Sequence, residues 1–307
     1  MHYTLVVLAA GMGSRYQAEW GRLKQIDYFG PHNEILLEYS IYDAIQAGFD
    51  KVIFVIRKDF EEEFKNLIKN LPTDKIQMQF AFQNGDDLPD GFTKPETRQK
   101  PRGTGHAMRA ALPLIQEENF AVINADDFYG RESYLILANF LKHAQNEGCV
   151  VGYHISQVLS QNGPVSRGIC SIEGDHLIQL TETKKIARQE NGEILSLESG
   201  VKVDNDAICS MNMLGFPNEI IPYFEKYFIA FLEENLNSET QEFYVQNVLM
   251  QWSKETGQKL KLLKTPSQRF GVTYQQDKEE TKKKIKSLIE RGVYPENLWG
   301  NAMENLP

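Results

Sequence analysis

Apolar residues follow two rhythms along the first half of the chain. Leu5–Val6–Val7–Leu8 is an unbroken apolar run that gives way to small residues and Gly11, the pattern of a strand buried on both faces. From Ile35 to Ala47 the spacing becomes helical, with Leu37, Ile41, Ala44 and Ile45 on one face and Gly48 placed to cap the C-terminus. Lys51–Ile56 reads as a second buried strand. Asp59–Asn70 reads as an amphipathic helix running from acidic to basic and ended by Pro72, and Ile76–Phe82 as an alternating third strand. Thr104–Leu112 is a predicted helix with Pro113 at its end, and Phe120–Asn124 a predicted fourth strand. Strand and helix alternate, which implies βαβ crossovers and a mostly parallel sheet covered by helices. Ligands of such sheets sit beyond the carboxyl ends of the strands.

The second half is less regular. Val150–Ile155, Gly168–Ile172, Leu177–Leu180 and residues 208–215 read as short strands, with a turn at Gly174–Asp175. Pro217–Glu234, Glu242–Lys254 and Asp277–Glu290 read as helices, and Lys259–Leu263 as a strand. The polar, Pro- and Gly-containing stretch Gly85–Arg102 is a long loop, a length more often functional or mobile than structural. One domain over residues 1–275 is expected, in two halves over about 1–148 and about 149–275. Residues 276–307 then form a C-terminal helix and tail, in which Trp299 stands among polar residues.

Composition narrows the function. The 307 residues carry a net charge of −9 with no basic block, which argues against a nucleic-acid surface. Cys149, Cys170 and Cys209 form no metal-ligand spacing and read as buried small hydrophobes in a reducing compartment. Met1–Ala10 lacks a basic n-region, and no apolar run approaches the ~18 residues of a membrane helix. No membrane association and a cytoplasmic location are expected; oligomeric state is not legible.

The chemistry-bearing motifs cluster at strand ends. After the first strand comes Leu8-Ala-Ala-Gly-Met-Gly-Ser-Arg15, with Lys24 nine residues beyond Arg15. Gly11 and Gly13 let the backbone turn its N–H groups towards phosphate oxygens. Arg15 offers a bidentate phosphate partner and Lys24 a mobile point charge. A plain strand-to-helix turn is the alternative; neither GxGxxG nor a Walker A pattern is present. This motif resembles the signature of the sugar-nucleotide pyrophosphorylases, Leu-Ala-Ala-Gly-x-Gly-Ser/Thr-Arg followed by a lysine, although here the lysine lacks its usual preceding proline. The resemblance implies a Rossmann-like α/β fold of the nucleotide-diphospho-sugar transferase type, with a smaller mixed β part for the acceptor. It implies that Leu8, Ala9, Ala10, Gly11, Gly13 and Ser14 bind the nucleotide, and that Arg15 and Lys24 are the catalytic cations.

Two further motifs extend the resemblance. Arg102-Gly-Thr-Gly-His-Ala107 looks most like uridylyltransferases acting on N-acetylglucosamine 1-phosphate, without room for their acetyltransferase domain. It implies that Gly103 and Thr104 read a pyrimidine edge, so UTP is the expected triphosphate; simple N-capping by Thr104 is the alternative. His106 reads as structural. Asn124-Ala-Asp-Asp-Phe128 puts carboxylates at a strand end, where a hard cation finds oxygen ligands. The family match makes Asp126 the Mg²⁺ ligand; a solvated acidic turn is the alternative.

The acceptor half resembles the family more thinly. Gly168, Glu182, Lys184 and Asn212 match residues that lie against the sugar or hold the acceptor phosphate, and each alone could be an ordinary strand residue. Phe270-Gly-Val-Thr-Tyr274 matches a late segment that completes the metal site. Thr273 stands there in place of Asp or Asn, with Asp277 as a possible substitute or simply an exposed helix start.

The partners implied are a nucleoside triphosphate and a phosphorylated small-molecule acceptor, the reaction a sugar-1-phosphate nucleotidyl transfer. Open rivals are a cytidylyltransferase acting on a non-sugar phosphate such as phosphocholine, a metal-dependent glycosyltransferase using Asp126 and Asp127, and a non-catalytic regulatory protein.

Overall fold

The computed structural model describes residues 3–11, 27–116, 119–268, 270–271 and 276–300. β1 (Thr4–Leu8), α1 (Leu36–Ala47), β2 (Lys51–Ile56), α2 (Glu61–Leu67), β3 (Gln77–Phe82), α3 (Thr104–Ala111) and β4 (Phe120–Asn124) form the first half. β3, β2, β1 and β4 lie side by side and parallel, with Leu8 level with Val55 and Asn124. Every residue of β1 and β2 is buried, as the continuous apolar runs require of strands covered on both faces. Alternate residues serve opposite layers. Leu5, Val7, Phe54 and Ile123 pack with α1 and α2, while Val6, Leu8, Ile53 and Val122 pack with α3.

A two-residue strand β5 (Asp127–Phe128) leads to α4 (Arg131–His143), a helix absent from the expected pattern. Its buried residues Tyr134, Leu137, Ala138 and Leu141 follow helical spacing on the same layer as α1. β6 (Gly148–His154), β7 (Val165–Glu173), β8 (His176–Arg188), β9 (Ile194–Ser196), β10 (Lys202–Val203) and β11 (Ile208–Phe216) follow. The expected short strands at 168–172 and 177–180 are the middle of β7 and the start of β8, which form one long antiparallel hairpin. Polar residues on the exposed face of that hairpin hid its length. α5 (Ile221–Asn235) and α6 (Val245–Thr256) cover the second layer with Phe224, Phe228, Leu232, Val248 and Trp252.

β12 (Leu260–Lys264) returns to pair parallel with β6. The main sheet has 11 strands among the described residues, with β11 antiparallel between β4 and β6. It therefore runs without a break from the first half of the chain into the second. β13 (Phe270–Gly271) pairs with β5, and α7 (Asp277–Glu290) closes the described chain together with residues 291–300. Those last residues pack on α1. Tyr294 donates to Asp43 Oδ2 at 2.5 Å, Trp299 Nε1 donates to Glu38 Oε1 at 2.9 Å, and Phe270 stacks on Phe128 at 4.1 Å. The three cysteines are all buried, and burial pushes their thiols up, Cys170 and Cys209 to about 12. No helix among the described residues is long and apolar enough to cross a membrane.

Candidate active site

The chain runs from β1 outward to β2 and β3, then crosses to place β4 on the other side of β1. That reversal opens a crevice at the carboxyl ends of β1 and β4, the place where such sheets take ligands. Two backbone bonds define it: Ala9 N–H donates to Val55 O at 2.9 Å, and Ala125 N–H donates to Leu8 O at 3.2 Å. Leu8 and Ala9 are buried, Ala10 is half-buried and Gly11 is exposed at the lip. Among the described residues, a Cβ built on Gly11 meets nothing within 4 Å. Gly13, Ser14, Arg15 and Lys24 lie outside the described residues.

Across the crevice, β4 delivers the acidic pair, and the two carboxylates have different surroundings. Asp127 is buried; its Oδ2 accepts from Asn124 Nδ2 at 3.1 Å, and its backbone carbonyl accepts from Ser40 Oγ. Asp126 is half-exposed at the strand end. Among the described residues no three His, Cys, Asp or Glu side chains gather at one point. A single half-exposed carboxylate at a strand end is a donor set that could contribute to a Mg²⁺ site completed by waters and substrate phosphates. β13 runs antiparallel to this turn, with Gly271 opposite Asp127. Thr273 lies outside the described residues. Asp277 is buried rather than an exposed helix start. Its Oδ1 accepts from Asn162 Nδ2 at 2.7 Å and Ser160 Oγ at 3.1 Å, which ties the loop after β6 to α7.

The Gly103–His106 segment is held from behind. Gly103 has φ 86° and ψ −170°, a backbone region essentially restricted to glycine. A Cβ there would lie 2.9 Å from Glu242 Cβ and 3.0 Å from Phe243 O. Gly105 N–H donates to Phe243 O at 2.7 Å, and its own Cβ would sit 2.5 Å from the Phe243 ring. Thr104 Oγ1 accepts from Val245 N–H, so its hydroxyl caps α6 rather than its own helix. His106 accepts from Arg102 N–H at Nδ1, leaving the proton on Nε2 to donate to Asp87 O at 2.9 Å. Burial pushes its pKa down to about 4, and it stacks on Phe228. It is therefore a neutral, committed side chain. The 85–102 loop is anchored too: buried Arg98 donates to Ser238 O and Arg102 to Leu236 O, beyond the end of α5. Gln83, just past β3, donates to Gly103 O at 3.2 Å. This residue had no motif to mark it.

Strand register gathers the acceptor candidates. Gly168 on β7 lies opposite Glu182 on β8 and opposite Ser210 on β11. A Cβ on Gly168 would press to 2.8 Å from Leu180. Glu182 Oε2 lies 3.5 Å from Gln246 Nε2 on α6. Lys184 is exposed at an irregularity in the β7–β8 register, where Lys185 has φ 51°. Asn212 occupies a bulge in β11, with φ 59°. Non-glycine residues in this conformation carry strain that neighbouring structure must hold, and bulges re-aim side chains beside functional sites. Asn212 and Lys184 thus both stand where regular pairing breaks.

A fold with its crevice at the β1–β4 switch point, and an acidic strand end beside the glycine-containing end of β1, defines a class of nucleotide-handling α/β protein. Residues 5–190 match the nucleotidyl transferase family, and the chain belongs to it. A UTP–glucose-1-phosphate uridylyltransferase from Pseudomonas aeruginosa is 29% identical over 154 residues, which cover 47% of this chain and 53% of the relative. The match therefore spans about half the length of that relative. Among solved structures, an inositol-1-phosphate CTP transferase from T. maritima superposes with TM-score 0.60 at 12% identity, over 93% of this chain and 96% of that one. A UDP-glucose pyrophosphorylase complexed with UDP-glucose does so with TM-score 0.60 at 15% identity, over 94% and 99%. These two share the fold.

Proposed function

We propose that this protein joins a nucleoside triphosphate, UTP first, to a sugar 1-phosphate, giving a nucleoside-diphosphate sugar and pyrophosphate. The observation that carries this reading is half-exposed Asp126 just past the carboxyl end of β4, beside the end of β1 and the glycine turn that follows it, in a chain of the nucleotidyl transferase family. An oxygen of the acceptor phosphate attacks the α-phosphorus. The bond to the oxygen bridging to the β-phosphorus breaks in line, and pyrophosphate leaves. The nucleophile is already anionic, so no general base is needed, and catalysis rests on positioning and charge neutralisation.

Arg15 takes the β- and γ-phosphates, Lys24 spans the reacting phosphates, and Lys184 holds the acceptor phosphate. Glu182 and Asn212 address acceptor hydroxyls, with the Gly168 backbone lying against the sugar. The Leu8–Ser14 turn cradles phosphate, and Gly103–Thr104 faces the base. Mg²⁺ held on Asp126 supplies neutralisation of the phosphate charge. A cytoplasmic site of action suits a reaction that consumes free triphosphate.

The test is pyrophosphate release with each of the four ribonucleoside triphosphates, Mg²⁺, and a panel of sugar 1-phosphates and phosphocholine. Release that requires UTP and a sugar 1-phosphate is expected. Release with CTP and phosphocholine alone would replace the acceptor class, and no release from any pair would overturn the transferase reading.

A further inference from the structure

β4 and β11 pair only through Phe120–Val122 and Leu214–Phe216. Beyond Val122 the bulge between Ser210 and Leu214 carries β11 away, and the two strands part at their crevice ends. Such a split leaves a backbone donor on one strand and an acceptor on the other without ladder partners, a costly arrangement when buried. One phenol fills the gap. Tyr129 OH accepts from Asn124 N–H at 3.0 Å and donates to Met211 O at 3.0 Å, with Asp127 Oδ2 a longer contact at 3.5 Å. It is a side-chain rung between two strands that no longer pair. Asp126 lies on one lip of the split, two residues past Asn124. Asn212 lies on the other, directly after Met211.

The phenol is fully buried, and burial raises its pKa well above the ordinary value, so it stays a neutral donor and acceptor. The ring is fixed from behind. Tyr153 OH donates to Tyr129 O at 3.1 Å, and Ser133 Oγ donates to the same carbonyl at 2.8 Å.

We propose that Tyr129 is a positioning residue that sets the distance between the metal-binding lip at Asp126 and the acceptor-binding bulge at Asn212. The inference rests on the transferase reading for its catalytic consequence, though not for its structural one. Without the hydroxyl, the strained left-handed conformation at Asn212 loses the bond on the preceding carbonyl that holds it. The triphosphate is bound mainly from β1 and α3 and should be little affected.

The experiment compares Tyr129→Phe with Tyr153→Phe. The second removes a hydroxyl from the same buried network without touching Asn124 N–H or Met211 O. In the ligand-free protein, amide hydrogen exchange at Asn124 should rise at least tenfold in Y129F and not in Y153F. With UTP and glucose 1-phosphate, or whichever pair the wild type turns over, Y129F should lower kcat/KM for the acceptor at least tenfold. KM for the triphosphate should stay within twofold. Adding Asn212→Ala to Y129F should cost far less than it costs the wild type, because both act on one contact. The inference is overturned if Y129F and Y153F behave alike in exchange, or if the Y129F and N212A losses multiply.

Should Y129F not fold, acceptor binding to the wild type should slow Asn124 exchange, and unchanged exchange would overturn the inference. Failure of the transferase reading shows separately, as a wild type that turns over no pair while the exchange contrast persists.

Discussion

Glycines in two motifs carry opposite duties, and replacing each with alanine separates them. At Gly103 the backbone occupies a glycine-only region, with φ 86° and ψ −170°. Forcing an L-residue there costs about 1–3 kcal/mol. The added Cβ would meet Glu242 Cβ at 2.9 Å and the Phe243 carbonyl oxygen at 3.0 Å, and the second of these is backbone that must itself move. Overpacking of this kind costs roughly 1–3 kcal/mol more. Reduced freedom of the unfolded chain returns about 0.4–1 kcal/mol. Gly103→Ala should therefore lose about 1–5 kcal/mol, a large part of a marginal stability. In a chain of this size that is a fall of roughly 2–8 °C in Tm. Gly11→Ala meets nothing within 4 Å among the described residues and should stay within about 0.5 kcal/mol of the parent, while turnover with the triphosphate falls. Urea denaturation with both m-values checked against the parent, alongside pyrophosphate release, measures both. An unchanged midpoint for G103A would refute the argument that Phe243 holds the segment. A G11A protein destabilised as much as G103A would refute the room for a Cβ at Gly11.

Asp126→Asn should cut turnover about a hundredfold or more with an unchanged Tm, whereas Asp127→Asn should lower stability by about 1–3 kcal/mol through its buried contacts with Asn124. The two are separated by thermal melts run beside the activity assay. Asp43 is buried with Arg131 and Tyr294 against its oxygens, and burial raises its pKa to about 7. The folded protein keeps this proton where the unfolded chain, with a pKa of about 4, has released it. Its contribution to stability is full below about pH 4 and is lost as pH rises to about 7, and Asp43→Asn should flatten that slope in urea titrations. His106 works in the other direction: with a folded pKa near 4, its contribution is lost as pH falls from about 6.5 to about 4. His106→Gln should remove that acid-side loss, and a slope unchanged from wild type would place the titration elsewhere.

What the sequence determined alone was whatever rests on local pattern. The unbroken apolar runs of β1 and β2 could only be strands buried on both faces, and their alternation with helices implied the parallel sheet before any contact was known. Asn124-Ala-Asp-Asp-Phe128 pointed to chemistry at a strand end, but two adjacent aspartates look alike in a sequence. Only packing made Asp127 a buried hydrogen-bond acceptor and left Asp126 half-exposed. α4 leaves its trace in the sequence as the helical spacing of Tyr134, Leu137, Ala138 and Leu141. The glycines of Gly103-Thr-Gly-His read as room for a ligand, and the fold spends much of that room on Phe243, some 140 residues away. Asn212 matched a motif as a residue type; its left-handed backbone and the bulge that carries it exist because β11 must leave β4 there. Tyr129 had no signal at all, because its role depends on a gap between two strands that are remote in sequence. Periodicity is a property of neighbours along the chain. Which polar groups are left to be satisfied is decided only when distant strands pair, and that is where this site is built.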